Sequence, residues 1–478
     1  MITSERMAAI DRNAESLGVP RRLLMESSGN AIARNVSMVA PPDASIDIIA
    51  GRGNNGGDGL VAARFLKEFD VTVTLLGTPA QITTDIARAN WGALEQANIP
   101  TRCITDASSL DTFDGDVIVD ALLGTGVDGP VREPIRSAIE LINHAHGTVI
   151  SVDVPSGLDP DTGENQGSAV EADHIVTFHD RKPAHQHIDV EVSVEDIGIP
   201  EAAERFVGPG DLLSTLHRDD EAHKGDHGEI LIIGGGPYVG APALSGIAAL
   251  RTGADLVHLA LPELIADTVL GYHPEFIPHR LPGTTLEGGH LERVLELSNE
   301  VDVVVIGPGL GDSPETTETI DAFLDHFDGT TVVDADALQC LSGTESKAEI
   351  VATPHAGEFV SMGFNRPKSW RDAMDLVTNA AQALNCSIIL KGHIDIISDG
   401  EQTRANRTGN PGMTTGGTGD VLTGVTAAML ARHDAFHAAC ISAWLTGAAG
   451  DHLARHHDTG FLASEVADAI PQVCARLE

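Results

Sequence analysis

A buried strand, a glycine-rich turn and a helix follow one another twice in this chain, and that unit restricts the fold more than any other feature. The first copy is IDIIAGRGNNGGDGLVAARFL at 46–66, and EILIIGGG at 229–236 opens the second. A strand that runs into a helix finds its next neighbour by returning parallel, so the unit asks for a parallel sheet covered by helices. Ile46–Ala50, Val71–Leu76, Asp116–Val119, Gly147–Val152 and Asp173–Phe178 read as short buried strands. Helical patterns fall over Asn55–Phe69, Ala87–Ala97 and Arg132–His144. The second half repeats the alternation, with strands expected at Glu229–Ile233, Leu256–Ala260, Val301–Ile306, Thr331–Val333, Glu349–Ala352 and Ile388–Leu390.

A chain of 478 residues is too long for one ordinary core. Val194–Asp211, with Gly198, Pro200, Gly208, Pro209 and Gly210, breaks the first pattern. Two α/β domains are therefore expected, 1–210 and 211–478, the first a Rossmann-like doubly wound sheet. Ligands of such sheets bind at the carboxyl ends of the strands.

Charge sets limits on partners. The net charge is −40, from 30 Lys and Arg against 70 Asp and Glu. Residues 1–210 hold 15 against 32 and the remainder 15 against 38, so both halves carry the excess. Such a field repels nucleic acid and anionic membranes. Arginine outnumbers lysine 24 to six, and the pattern resembles that of proteins from salt-loving organisms. The five cysteines form no CxxC pair, which suits reduced thiols. The polar start has no apolar signal core, and no apolar run reaches the roughly 20 residues of a membrane span. The expectation is a soluble, cytoplasmic protein that binds neither nucleic acid nor membrane.

Three strand ends in the first half carry polar chemistry. Gly51, Gly53, Gly56, Gly57 and Gly59 alternate with Asn54, Asn55 and Asp58, a pattern that permits positive φ and exposes N–H groups to a phosphate. Asp120 and Asp153 each follow an apolar run. One such Asp would be read as a turn cap; three turns on one sheet edge point to a site.

LMESSG (24–29), GRGNNGGDGLVAARFL, DALLGTG, SVDVPSGLDPDTG and ADHIVTFHDRKP resemble, in order, the motifs of the NAD(P)H-hydrate epimerase family. Ser27-Ser28 departs from the usual Asn-Ala of that family. The resemblance implies that Asn54, Asn55, Gly56, Gly57 and Asp58 hold the nucleotide with the loop Gly124, Thr125, Gly126, Val127, Asp128, Gly129 and Pro130. It further implies Asp153 at the reacting ring and Asn55, Asp120 and Ser156 as potassium (K+) ligands. Interconverting the R and S hydrates needs proton transfer and a stabilised cationic or ring-opened intermediate, and a carboxylate beside the ring can serve both needs.

In the second half, NPGMTTGGTGD (410–420) precedes the apolar helical segment VLTGVTAAMLA. GGTGD puts consecutive N–H groups at a helix start, where a transferring phosphoryl group is stabilised, and Asp420 lies in the first turn. The motif resembles the ribokinase-like superfamily. HKGDHGEILIIGGG, GPGLG, DADAL, TPHAGEF and LKGHID narrow the resemblance to its NAD(P)H-hydrate dehydratases. The resemblance implies that Lys391, Gly392, His393, Ile394, Asp395 and Gly419 contact ADP, and that Gly311, His355 and Asp420 contact the hydrated dinucleotide. Asp420 would activate the C6 hydroxyl, with magnesium (Mg2+) bridging the diphosphate. ADP as co-substrate is a family expectation.

The whole chain is thus expected to epimerise and dehydrate hydrated NADH and NADPH (NADHX and NADPHX). A homo-oligomer and a halophilic archaeal source complete the expectation. Two alternatives remain: a ribokinase-like small-molecule kinase fused to an accessory domain, and a non-catalytic nucleotide-binding role for the first half. His452 and His456 are spaced as helical metal ligands, but no HExxH pattern accompanies them.

Overall fold

β-Branched residues fill the central strands, and their alternate side chains enter different cores. Ile46 and Ile48 of β1 (Ser45–Ala50) pack on one face of the first sheet, and Ile49 packs on the other. Ile230 and Ile232 of β8 (Glu229–Ile233) are likewise separated from Leu231 and Ile233. With helices on both faces, nearly every position of such a strand is apolar, and each buried apolar side chain contributes about 1.5–3 kcal/mol.

The computed structural model describes residues 1–126, 129–212, 223, 225–343 and 346–476. The chain divides into Met1–Ala203 and Glu204–Glu478. In the first unit β1 is joined by β2 (Asp70–Leu76), β3 (Thr101–Ile104), β4 (Val117–Ala121), β5 (Thr148–Val152), β6 (His174–Phe178) and β7 (Glu191–Glu195). Their spatial order is β3-β2-β1-β4-β5-β6-β7, with every pair parallel. The order reverses between β1 and β4, which leaves a crevice at their carboxyl ends.

The second unit adds to β8 the strands β9 (Leu256–Pro262), β10 (Phe276–Leu281), β11 (Val303–Ile306), β12 (Thr330–Val333), β13 (Glu349–Ala352), β14 (Ser387–Leu390), β15 (Asp395–Ser398) and β16 (Thr403–Asn406). The order is β10-β9-β8-β11-β12-β13-β14-β15-β16, parallel up to β14 and antiparallel for the last two. The mixed α/β architecture is the expected class. Helix Thr418–Leu430 packs on helix Gly240–Thr252 and on β11 and β12.

Several expected bounds change, and the helix expected over Asn55–Phe69 is Asn54–Phe65. The break was expected at 210/211, but Arg404 donates to the Phe206 carbonyl at 2.8 Å and to the Asp211 carboxylate at 3.1 Å, which ties 204–212 to the second unit. The helix expected from Arg132 is Ile135–Asn143, starting after Pro134. Among the described residues, no helix is long and apolar enough to cross a membrane.

Candidate active sites

Helix Asn54–Phe65 starts at the carboxyl end of β1 with no side chain capping it, so its first N–H groups stay available. The glycines before it act by closeness. None of Gly51, Gly53, Gly56, Gly57 and Gly59 has a positive φ, contrary to the expectation. A Cβ on Gly51 would fall 1.8 Å from the Leu122 carbonyl oxygen, and one on Gly56 would fall 2.1 Å from that of Gly51. The turn is therefore pressed against the end of β4.

A cavity of about 450 Å³ opens there. Asn54, Asn55, Asp58, Gly124, Thr125, Gly126 and Asp153 line it. Gly56 and Gly57 are buried in the turn instead, and neither Gly129 nor Pro130 reaches the lining. Val127 and Asp128 lie outside the described residues. Asp153 follows β5 with φ +66, a left-handed conformation that a non-glycine residue adopts only when its surroundings hold it.

Those surroundings are specific. Lys182 Nζ pairs with Asp153 Oδ1 at 2.6 Å although the lysine is only 1% exposed. Nζ also donates to Thr177 Oγ1 at 3.0 Å and to the Phe178 carbonyl at 3.1 Å, and Thr177 donates to Asp153 at 2.8 Å. His185 Nδ1 accepts from the Lys182 backbone, so Nε2 holds the hydrogen and donates to the Asp153 carbonyl at 2.9 Å. Burial lowers the His185 pKa, keeping the ring neutral. Asp11 and Asp58 share the cavity. Burial raises Asp58 well above the carboxylate range, reinforced by Asp153 and Asp11.

Sequence reasoning assigned no role to Lys182, His185, Thr177 or Asp11. A lysine just after a strand in a lysine-poor chain was the available signal for the first of them.

The residues expected at potassium form one hydrogen-bonded group. Asn55 Nδ2 donates to the Leu123 carbonyl at 2.8 Å, and Ser156 Oγ lies 3.2 Å from the same oxygen. Asp120 is fully buried behind them. Its Oδ1 accepts from Ser156 Oγ and Leu122 N, and its Oδ2 accepts from Ser151 Oγ and Ser156 N. Burial raises its pKa despite these donors. Carboxylate, hydroxyl, amide and carbonyl oxygens suit a hard monovalent ion. For Asp120 to ligate one, it would exchange a hydrogen bond.

In the second unit, helix Thr418–Leu430 begins after Gly417, whose φ of +98 turns the chain into the helix without a side-chain cap. Lys391, just after β14, holds its amine 3.4 Å from where a Cβ on Gly419 would stand. An ammonium thus sits over the helix start, where anions bind. Lys391 pairs with Asp334 Oδ1 at 3.1 Å, and Thr353 and Thr423 hydroxyls donate to Asp334 at 2.7 and 2.6 Å. Burial alone would raise Asp334, but Lys391 and the two hydroxyls hold it below its ordinary value.

Asp420 is neither paired with the lysine nor bonded to either hydroxyl. Burial pushes it up to about 7, Asp334 adds to the rise, and Lys391 opposes it. A carboxylate poised there is suited to taking a proton near neutrality. His355 caps helix Ala356–Ser361: its Nδ1 accepts from Gly357 and Glu358 N at 2.9 and 3.0 Å. The ring is 59% exposed, with Nε2 3.6 Å from Glu358 Oε1. Gly311 donates to Asp336 Oδ2 at 2.7 Å, and burial raises that carboxyl as well.

A cavity of about 400 Å³ adjoins the helix start, and Lys391, Gly392, His393, Asp395 and Gly419 line it. Ile394 does not; it packs against the apolar core instead. Both Asp395 oxygens are occupied, by Asn406 Nδ2 and Gly392 N, and burial raises the group to about 6. It shapes the turn. Gly311, His355 and Asp420 lie outside this lining.

Comparisons with known proteins follow the same division. Residues 230–472 match the family described as NAD(P)H-hydrate dehydratase, and residues 21–184 match the family described as YjeF-related protein N-terminus. A bifunctional NAD(P)H-hydrate repair enzyme, Nnr, of Archaeoglobus fulgidus is 41% identical over 99% of this chain and 98% of its own. The Nnr of Pyrobaculum aerophilum is 43% identical, with the same two coverages. The crystal structure of an ADP/ATP-dependent NAD(P)H-hydrate dehydratase from Bacillus subtilis, co-crystallised with ATP and magnesium, is 29% identical. It covers 57% of this chain and 99% of its own, with a TM-score of 0.52.

Proposed function

The chain belongs to the bifunctional NAD(P)H-hydrate repair enzymes, and from that premise we propose how its two sites divide the work. The first unit epimerises the hydrates of NADH and NADPH, and the second dehydrates the S form with consumption of a nucleotide. We assign ADP as that nucleotide, with AMP and phosphate as products. What carries this reading is Asp420: a carboxyl without a cationic partner of its own, raised to about 7, in the first turn of a helix whose start is overlaid by Lys391.

In the second unit, Asp420 takes the proton of the C6 hydroxyl as its oxygen attacks the terminal phosphoryl of the nucleotide. The helix-start N–H groups and Lys391 stabilise the phosphoryl charge. The ring-nitrogen lone pair then expels phosphate, restoring the double bond. His355 Nε2 and the Gly311 turn orient the dinucleotide, while Gly392, His393, Asp395 and Gly419 wall the nucleotide. No group of three or more His, Cys, Asp and Glu side chains that could cage an ion occurs among the described residues. Magnesium bound with the diphosphate would neutralise its charge.

In the first unit, Asn54, Asn55, Asp58, Gly124, Thr125 and Gly126, which line the cavity, hold the dinucleotide. The Asp153 carboxylate, fixed by Lys182 and Thr177, faces the ring and stabilises the cation formed when the C6 substituent leaves. Asn55, the Leu123 carbonyl and Ser156 are the groups that would hold potassium, which would order these loops. The acidic, lysine-poor composition supports a salt-adapted, cytoplasmic archaeal protein, checked by activity retained in concentrated potassium chloride. A homo-oligomer is expected by light scattering.

The test is recovery of nicotinamide absorbance from a mixed R and S hydrate with magnesium, potassium and either ADP or ATP. Complete recovery, faster with ADP, supports both assignments. Recovery that stops at the S fraction refutes the epimerase, and none at all, with nucleotide bound, refutes the dehydratase.

A further inference from the structure

The epimerase cavity contains a carboxyl oxygen with no bonding partner. Asp11 stands on helix Ser4–Ser16, which is anchored by Ile10 and Ala14 in the core and by Asn13 Nδ2 on the Ala203 carbonyl. Asp11 itself turns to the cavity shared by Asp58, Asp153 and Lys182. Its Oδ1 is buried and accepts no hydrogen bond.

A buried, unsatisfied polar atom costs about 1–3 kcal/mol, so its retention calls for a reason. A proton is the simplest occupant. Two charged lysine or arginine groups, Lys182 and Arg21, face Asp11 together with His179, and Asp153 opposes them. Lys182, however, is already committed to Asp153. Burial outweighs all three basic neighbours and pushes Asp11 up to about 6. The group thus exchanges its proton far more readily near neutrality than Asp58, which burial and two like charges lift well above the carboxylate range.

We propose that Asp11 is the acid of the epimerisation, delivering the proton that leaves with the C6 hydroxyl and recovering it when water returns. The inference rests on the epimerase reading of this cavity. Protonated Asp11 gives its hydrogen to the hydroxyl oxygen, the C6–O bond breaks, and the ring-nitrogen lone pair forms the C–N double bond. Water departs, Asp11 is left as carboxylate, and the cation lies against Asp153. Water then adds to either face of C6 while Asp11 takes back one hydrogen. No atom or electron is gained or lost over the cycle. Asp153 and Asp11 divide the roles: Asp153, paired with Lys182, supplies fixed negative charge, and Asp11 moves the proton.

The experiment follows R and S hydrates by chromatography over the uncatalysed background, across pH, with the full-length enzyme. Asp11→Asn, which keeps shape and removes the titrating proton, should lower kcat about 10²-fold or more with KM nearly unchanged. The wild-type decline of kcat/KM above pH about 6 should vanish in Asp11→Asn and return, displaced, in Asp11→Glu. Asp11→Asn that keeps both its kcat and this pH limb would overturn the proposal. A raised KM at unchanged kcat would also overturn it, reducing Asp11 to a binding residue. Failure of the epimerase reading itself looks different: the wild-type enzyme would then leave the R to S ratio at background.

Discussion

The two sheets share one strand order as far as their seventh strand, yet they place their chemistry differently. In the first, everything converges where the order reverses, between β1 and β4. In the second, the nucleotide cavity lies beyond β14, and the equivalent reversal between β8 and β11 supplies only the turn that ends at Gly311. Each unit sets a lysine on a carboxylate that follows a strand, buried Lys182 on Asp153 and half-buried Lys391 on Asp334. The pairs are used in opposite senses. In the first both groups line the cavity, the lysine only 1% exposed beside the carboxylate; in the second the carboxylate is hidden behind two threonines and the lysine faces outward. Pairing thus identifies the group with fixed charge, and the unpaired carboxyls, Asp11 and Asp420, are those free to titrate.

The sharpest way to break this contrast is Asp420→Asn. Dehydration of the S hydrate should fall by about 10²–10⁴-fold while epimerisation proceeds at its normal rate. Retained dehydration would move the base to Asp334 or Asp336. Next in size is Lys182→Met, which strands Asp153. Denaturant unfolding of the first unit should lose about 3–5 kcal/mol, the cost typical of breaking a buried pair. A loss below about 1 kcal/mol would make that pair equivalent to a surface one.

The pH dependence of dehydration refines the second half of the contrast. Asp420 must be ionised to accept a proton, so the rate rises as pH passes about 7 and is lost below it. Lys391 holds that carboxyl down, so Lys391→Met should move the rising limb to higher pH. An unmoved limb would assign it to another group. The smallest effect expected is ionic: exchanging potassium for lithium, or Ser156→Ala, should slow epimerisation severalfold and leave dehydration alone. Equal slowing of both activities would remove the ion from the first unit.

Central strands were legible because, covered on both faces, they are apolar at nearly every position. Glu229–Ile233 and Glu349–Ala352 have the ends expected of them. β3, β7, β10 and β16 went unrecognised, and all four are sheet edges. An edge strand such as FIPHRL keeps polar residues, and even a proline, that a central ladder would exclude. β15 was missed with them, being the antiparallel partner of that last edge. Motif residues read from contiguous runs fared less evenly. In Lys391–Asp395 the Ile394 side chain turned to the core, since a run of letters carries no direction. Asp11 and Lys182 stand 171 positions apart in the chain, and nothing short of the folded sheet would bring them to one cavity.

The burial of the paired lysines has an experimental consequence. The chain has six lysines; Lys67, Lys347 and Lys368 are exposed, while Lys182 and Lys391 are the paired ones described above. An acylating reagent therefore meets very few amines, each distinguishable by peptide mass. Slow modification at Lys391, suppressed by bound nucleotide, would follow occupancy of one site, and Lys182 would react only when the other opened. Sparse amines make the protein a reporter on itself.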